Sequence, residues 1–262
     1  MKLAIYALVA GGSKGIGYPI AEAPAKRDYH LILIDRHPDN LAAAKNKLEA
    51  QYNINVETLC LDLEKKDTAG AIAKWRSEKN IHLKLLCNAI GLDGSQDYIS
   101  LPLDTLRNMV RLNVESCMAL SLTLHPLLEK NAPSYILNVA SMAGFAPIPV
   151  KKLYSATKSA IIFFSYSLRY QLKNKNISIS CLYPGPVFTK PEIEADTRKK
   201  LGWFGVQMAV DPKKAGEIAV RRTLNKRLII VPGTLAKIIS LILHFLPRRL
   251  LVFFYNQVGN KE

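Results

Sequence analysis

The sequence predicts an α/β fold: a single-domain, doubly wound parallel sheet of about seven strands (a Rossmann fold) with helices on both faces. Three observations carry that reading. Short apolar runs alternate with longer segments of helical spacing along most of the chain, the pattern of repeated βαβ units. The short runs are apolar throughout rather than alternating, as parallel strands covered on both faces must be. A glycine-rich turn, Ala10-Gly11-Gly12-Ser13-Lys14-Gly15-Ile16-Gly17, closes the first run and opens the first helical segment.

The elements follow in order. Leu3–Ala10 reads as a buried strand and Ile16–Arg27 as a helix. Pro19 falls in the first turn of that helix, where a missing N–H costs little, whereas Pro24 is interior and should kink or shorten it. Leu31–Ile34 is a second strand ending in Asp35, Leu41–Tyr52 has helical spacing, and Val56–Leu61 and Lys84–Cys87 are the third and fourth strands. Leu103–His125 reads as one long helix, Tyr135–Val139 as the fifth strand, Tyr154–Leu172 as a helix and Ile177–Leu182 as the sixth strand. Lys213–Leu224 is helical and Leu228–Val231 is the seventh strand. Right-handed crossovers then place ligands beyond the carboxyl ends of the strands.

Composition narrows the class. The chain has 262 residues, 49% of them hydrophobic and 22% charged, which excludes wholesale disorder. At roughly 150 residues per domain the count would be one or two, but α/β sheets run to this length as one unit. The main α/β domain is expected over residues 1–233 and an apolar, basic extension over 234–262. The four cysteines, Cys60, Cys87, Cys117 and Cys181, form no CxxC pair and sit among apolar neighbours. They read as buried free thiols of a reducing, cytoplasmic compartment, with no metal site. The apolar start is not expected to be a cleaved leader, because it runs straight into the glycine turn.

Net charge is +15. Residues 1–150 carry 16 basic and 15 acidic side chains, and residues 151–262 carry 20 basic and 6 acidic. Nearly all the excess lies in the second part, which points either to an anionic partner or to a solvated basic face.

The glycine turn sits in the strand–turn–helix context of a dinucleotide site. Glycines let the backbone approach a diphosphate, and the helix N-terminus offers N–H groups and a positive dipole end. Asp35 lies 18 residues after Gly17 at the end of the second strand. A carboxylate there accepts from ribose hydroxyls and repels a 2′-phosphate, which favours NAD. Lys14 and Arg36 could pair with that phosphate, which keeps NADP open. Asp62, after the third strand, either touches the adenine edge or caps its own loop.

Tyr154-Ser155-Ala156-Thr157-Lys158 puts Tyr and Lys at i, i+4, on one helix face. A neighbouring ammonium favours the phenolate, so such a tyrosine can give or take a proton near neutral pH, worth about 10²–10⁴ in rate. Ser141 lies 13 residues before Tyr154, just past the fifth strand, where its hydroxyl can bond a carbonyl or an alcohol.

Taken together, AGGSKGIG, Asp62 in LCLDL, Asn113 in RLNVES, Ser141 in NVASMAG, Tyr154 and Lys158 in YSATK, and Pro184-Gly185-Pro186-Val187-Phe188-Thr189 resemble the short-chain dehydrogenase/reductase family in order and spacing. The likeness runs over residues 3–190 and more loosely to 232. It implies an NAD(P)-dependent oxidoreductase interconverting a secondary alcohol and a ketone. Tyr154 would be the general acid/base and Ser141 would orient the reacting oxygen. Lys158 would bind the nicotinamide ribose and tune Tyr154, and Asn113 would hold a water joining Lys158 to solvent. The resemblance further implies cofactor contacts from Gly11, Ser13, Lys14, Gly15, Ile16, Gly17, Asp35, Arg36, Asp62, Leu63, Asn88, Ala89, Tyr154, Lys158, Pro184, Gly185, Val187 and Thr189. Two positions depart from it: Ala10 stands where the family usually has Thr, and Ile90 follows Asn88-Ala89 where it usually has Gly. At the second, either the loop shifts by one residue to use Gly91 or the adenosine side of the pocket is altered.

Residues 190–210 read as a substrate lid, mixing Arg198, Lys199 and Lys200 with Leu201, Trp203, Phe204 and Met208. That mixture suits a hydrophobic substrate with an anionic end, or is an ordinary amphipathic lid helix. Within the family, a hydrophobic basic tail resembles enzymes acting on long acyl chains, keto-sphingoid bases or steroids, which implies a large hydrophobic substrate. The extension has two short apolar pieces flanking Arg248 and Arg249. Neither reaches the roughly 20 residues of a membrane span. The extension reads as an interfacial anchor at the inner membrane face, as a lid, or as a subunit interface. The family resemblance implies a homodimer or homotetramer through the helices holding Leu103–His125 and Tyr154–Leu172. A non-catalytic nucleotide-binding regulator is the alternative from another class. A nucleic-acid module is not expected, since the basic half carries no recognisable binding motif.

Overall fold

A computed structural model describes residues 4–65, 68–79, 81–92 and 100–259 of the chain; Leu3, at the start of the expected first strand, lies outside them. Among the described residues, seven apolar segments are strands: β1 (Ile5–Ala10), β2 (His30–Asp35), β3 (Val56–Cys60), β4 (His82–Asn88), β5 (Ser134–Val139), β6 (Ile177–Leu182) and β7 (Ile229–Ile230). They form one parallel sheet in the order β3-β2-β1-β4-β5-β6-β7. The helices between them are α1 (Gly17–Ala25), α2 (Pro38–Gln51), α3 (Thr68–Ser77), α4 (Leu103–Val110), α5 (Ser116–Lys130), α6 (Lys152–Gln171), α7 (Pro191–Met208) and α8 (Pro212–Leu224), followed by α9 (Thr234–Phe245) and α10 (Arg248–Gly259).

The uninterrupted apolar runs have a direct cause. Ala7 and Val9 of β1 face one core with Leu31 and Leu33, Ile20 of α1, Leu48 of α2 and Val220 of α8. Leu8 and Ala10 face a second core with Ile32, Ile34, Leu86, Leu124 of α5 and Leu168 of α6. Successive side chains of a strand point to opposite sides, so a sheet packed on both sides must be apolar at every position. Each such leucine contributes about 2 kcal/mol on burial. A third cluster, with Met142, Ile161, Tyr183 and Val231, takes in Ala236, Ile239 and Leu243 of α9.

Several elements differ from the sequence expectation. The helix expected over 103–125 is broken by a π turn, Arg111–Glu115, between α4 and α5, and α5 runs through Pro126 to Lys130. Pro126 leaves the Leu122 carbonyl without its usual donor, and Nδ1 of His125 lies 3.1 Å from that oxygen. Pro19 sits in the first turn of α1, and Pro24 lies one residue before its last residue, so the helix is shortened rather than continued. Cys87, Cys117 and Cys181 are buried, but Cys60 is exposed. It ends β3, an edge strand with neighbours on one side only, which corrects the reading of four buried thiols.

The order of the strands reverses between β1 and β4. At such a switch point the connections leave in opposite directions and open a crevice beyond the strand ends. The β1–α1 turn, the end of β4 and the end of β5 all border it.

Candidate active site

The β1–α1 turn is shaped by its glycines. Gly11 and Gly15 have φ of +77° and +58°, in the left-handed region that glycine occupies without penalty. A β-carbon on Gly17 would stand 1.9 Å from the Gly11 carbonyl oxygen, so only glycine lets α1 begin this close to the turn. A β-carbon on Gly15 would meet nothing within 4 Å. The turn is therefore tight on its protein side and open on the other, in front of the N-terminus of α1. These two observations fit a diphosphate cradled on backbone N–H groups. Ile16 precedes the helix and Lys14 is exposed beside it.

At the end of β2, the Ser13 hydroxyl donates to Oδ2 of Asp35, and the His37 N–H donates to Oδ1 at 3.3 Å. Arg36 turns away from Asp35, and its Nη1 donates to Oε1 of Glu64 at 2.7 Å. Asp62 accepts from the Glu64 N–H at 3.1 Å, which makes it a loop cap, while Leu63 beside it is buried. Across the crevice Ala89 N–H donates to the Ala10 carbonyl at 3.0 Å. Asn88 is buried, and its Nδ2 donates to Oδ1 of Asn138 at 2.8 Å and to the Ser121 hydroxyl at 3.2 Å. Ile90 packs against the second core, the α5 side of the sheet. Gly91 follows it at the crevice, where a β-carbon would stand 3.1 Å from Nζ of Lys158 and 3.2 Å from Oδ1 of Asn113.

The reaction side gathers at the end of β5. Nζ of Lys158, 4% exposed, donates to the Val139 carbonyl at 3.0 Å and lies 5.7 Å from the centroid of the Tyr154 ring. Ser141, two residues past β5, opens a 3-10 turn, Met142–Phe145, and its Oγ accepts from the Ala143 N–H at 3.1 Å. α6 presses on that turn: Ser159 donates to the Gly144 carbonyl at 2.6 Å, and a β-carbon on Gly144 would stand 3.0 Å from the backbone of Lys158. Asn113 lies in the π turn. Its Oδ1 accepts from Leu92 N–H at 2.7 Å, and its Nδ2 donates to the Leu92 carbonyl and to Oγ1 of Thr157, both at 3.0 Å. Thr157 in turn donates to the Tyr154 carbonyl at 2.7 Å. Asn113, Thr157, Tyr154 and Lys158 thus form one connected set.

The Pro184–Thr189 segment leaves β6 beside this set. The Pro184 carbonyl accepts from Met142 N–H at 3.1 Å, Thr189 N–H bonds the Val187 carbonyl at 2.8 Å, and the Pro186 carbonyl accepts from Val210 N–H at 3.2 Å. Gly185 lies against the end of α7, where a β-carbon would stand 3.1 Å from the Met208 carbonyl oxygen.

A sequence model of the short chain dehydrogenase family matches residues 6–200. The chain belongs to the short-chain dehydrogenase family. This short-chain dehydrogenase is 31% identical over 193 residues to the very-long-chain 3-oxoacyl-CoA reductase of Mus musculus, a match covering 72% of this chain and 61% of the mouse protein. It therefore spans less than two thirds of that relative's length. Among solved structures it is similar to the bulky-bulky ketone specific alcohol dehydrogenase from Comamonas testosteroni, with a TM-score of 0.77 and 22% identity over 92% of this chain and 91% of that one. It is also similar to a short-chain dehydrogenase from Sphingobium yanoikuyae in complex with NADPH, with a TM-score of 0.76 and 23% identity over 92% of each chain. At these identities the two structures establish the fold alone.

The short-chain dehydrogenase brings Ser141, Tyr154, Lys158 and Asn113 to one end of β5 and the glycine turn and Asp35 to one side of the crevice. Three participants escaped the sequence reading. Thr157 sits inside the YSATK motif that drew attention to its neighbours. Glu64 pairs with Arg36 across 28 residues, with no local signal. Lys151 has its Nζ 5.5 Å from the centroid of the Tyr154 ring, a second cation beside that phenol. Of the segment read as a lid, Gly202 breaks α7 with φ of +58°, and Trp203 and Arg198 are exposed; the side chains of Lys200, Leu201 and Phe204 lie outside the described residues.

Proposed function

We propose that this short-chain dehydrogenase interconverts a ketone and a secondary alcohol on a large hydrophobic substrate, a long-chain 3-oxoacyl thioester being the first candidate. One observation carries the chemistry: a buried ammonium, Lys158, is fixed by the Val139 carbonyl within reach of the Tyr154 phenol, on the strand end that also presents Ser141. The substrate class is supported by the likeness to very-long-chain 3-oxoacyl-CoA reductases and by the apolar helices that border the site.

A nicotinamide dinucleotide would supply or accept the hydride. Gly11, Ser13, Lys14, Gly15, Ile16 and Gly17 hold its diphosphate, and Asp35 the adenosine ribose. Arg36, Asp62, Leu63, Asn88 and Ala89 line the adenosine side, and Pro184, Gly185, Val187 and Thr189 the nicotinamide side. The residues of the chain perform the rest. Tyr154 Oη gives its proton to the carbonyl oxygen in reduction and takes it back in oxidation. Ser141 Oγ donates to the same oxygen and orients it. Lys158 favours the phenolate form of Tyr154 and donates to ribose hydroxyls. The Asn113 side chain is engaged by Leu92 and Thr157, so a water joining Lys158 to solvent belongs against the main chain of the π turn.

The cofactor reading favours NAD. Asp35 ends β2 with its carboxylate held by Ser13, where it would meet the ribose hydroxyls, and Arg36, one of the two cations that could pair with a 2′-phosphate, is bonded to Glu64. A homodimer or homotetramer is supported by exposed apolar side chains on α5 and α6, namely Leu122, Phe163, Tyr166 and Tyr170. The free cysteines suit a reducing, cytoplasmic setting.

The test is oxidation of NADH and NADPH against 3-oxoacyl thioesters of rising chain length, a keto-sphingoid base, ketosteroids and small ketones. Turnover that rises with chain length supports the reading. Tight cofactor binding without turnover of any of them favours the non-catalytic regulator.

A further inference from the structure

α9 is apolar on two sides. Ala236, Ile239 and Leu243 pack into the third core cluster, over the 3-10 turn that Ser141 opens. Ile238, Leu241, Ile242 and Phe245, at i, i+3, i+4 and i+7, point outward and are 54%, 61%, 51% and 76% exposed. An amphipathic helix of a soluble protein normally turns a polar face to water. Here the outward face carries four large apolar side chains. α10 repeats the pattern: Leu251 is 2% exposed, whereas Leu250, Val252 and Phe253 are exposed. Arg248 and Arg249 lie between the two apolar faces and Lys237 at the start of α9, all exposed. The sequence from 218 to 261 contains no acidic residue.

We propose that the outward faces of α9 and α10 dock on an anionic lipid surface. Among the described residues no helix is long and apolar enough to cross a membrane, and the 12 residues of α9 reach only about 18 Å against a hydrocarbon core of about 30 Å. The geometry is that of helices lying in the interface plane, with apolar side chains below the headgroups and arginines at their level. A second copy of the chain fits less well. A twofold interface presents each patch to itself, which would set Lys237, Arg248 and Arg249 against their own copies with no carboxylate from the segment to separate them. Apolar surface for self-association lies elsewhere, on α5 and α6.

α10 also packs on the 3-10 turn Pro149–Lys151, just before α6, and on α7. The docking helices therefore pack, by their inward sides, on the turn that Ser141 opens and on the turn that leads into α6, which carries Tyr154. If the reductase reading holds, an apolar substrate reaches the site from the lipid. The docking itself stands without that reading.

The experiment is co-sedimentation of the full chain with vesicles of phosphatidylcholine alone and with roughly one third phosphatidylserine. The expected result is binding at least about tenfold tighter to the anionic vesicles, falling steeply with salt. Arg248→Gln with Arg249→Gln should lower that affinity by about thirtyfold, at roughly fivefold per charge. Leu241→Asp with Phe245→Asp should abolish binding to both vesicles while the melting profile and the turnover of a small soluble ketone stay unchanged. Equal binding to neutral and anionic vesicles, or none to either, overturns the proposal. So does a concentration-dependent dimer, seen by light scattering, that Leu241→Asp removes, since a second copy then covers the face. The arginine variant keeps the test valid if the aspartates disturb folding. Absence of turnover of every ketone and thioester by the unmodified chain would instead count against the reductase reading and leave the vesicle result standing.

Discussion

Nζ of Lys158 donates to the carbonyl oxygen of Val139 at 3.0 Å, from a side chain that is 4% exposed. A cation so deeply buried must be bonded to persist, and this bond sets it at the end of β5 beneath the Tyr154 ring. Lys158→Met removes the positive charge and keeps the chain length. The kcat of the ketone reaction should fall by about 10² or more. The limb of the kcat/KM profile that reports the Tyr154 phenol should move to higher pH, because the phenolate loses its neighbouring cation. A pH profile that keeps its shape would show that Lys158 acts on the fold alone.

Gly17→Ala adds a β-carbon 1.9 Å from the Gly11 carbonyl oxygen. Neither atom belongs to a flexible side chain, so the turn and the start of α1 must separate. The expected cost is about 1–3 kcal/mol of stability, and dinucleotide binding should be lost. Thermal melting with and without NADH checks both. Gly15→Ala meets no atom and is strained only by its positive φ, so it should be the milder change.

Asp35→Ala removes the carboxylate that Ser13 and His37 hold at the end of β2, and the ratio of NADH to NADPH turnover should shift toward NADPH. Adding Glu64→Gln weakens the hold on Arg36 and should shift it further. Steady-state KM values for both cofactors provide the readout. An unchanged ratio in both variants would show that another group reads the ribose.

Arg27, just past α1, donates from Nη1 and Nη2 to the two carboxylate oxygens of Glu217 of α8. That bond holds the Glu217 carboxyl below its ordinary range. Its contribution is present at neutral pH, above the unfolded value of about 4.3. It is lost as pH falls through the lower folded value. Both side chains are partly exposed, so Glu217→Gln should cost only about 0.5–1 kcal/mol at pH 7. The difference in melting temperature from the unaltered chain should vanish below the carboxylate range.

Most of the sheet was legible because strands buried on both faces leave uninterrupted apolar runs, as in Ala7 through Ala10. The motif residues were legible because they lie in short local patterns: the glycine turn after β1, Ser141 past β5 and the Tyr154–Lys158 pair on α6. What was not legible depends on partners far along the chain. The π turn exists where Asn113 bridges to the backbone of Leu92, 21 residues away, and nothing in RLNVE departs from helical spacing. α3 was missed because the apolar side chains of Thr68–Ser77 are mostly alanines, and among the described residues only Ile72 and Trp75 of this helix reach the second core. Cys60 sits in an apolar stretch, but only the strand order reveals that β3 is an edge. The outward face of α9 could not be separated from its inward face, since both are apolar.

The most direct measurement is ketone-dependent NADH oxidation by Tyr154→Phe beside the unaltered chain, with cofactor binding followed in parallel. The substitution removes one hydroxyl and keeps the ring beside Lys158. Turnover should fall by about 10²–10⁴ while NADH binding persists. Turnover retained at the level of the unaltered chain would contradict the assignment of Tyr154 as the proton donor, and with it the reading of the site.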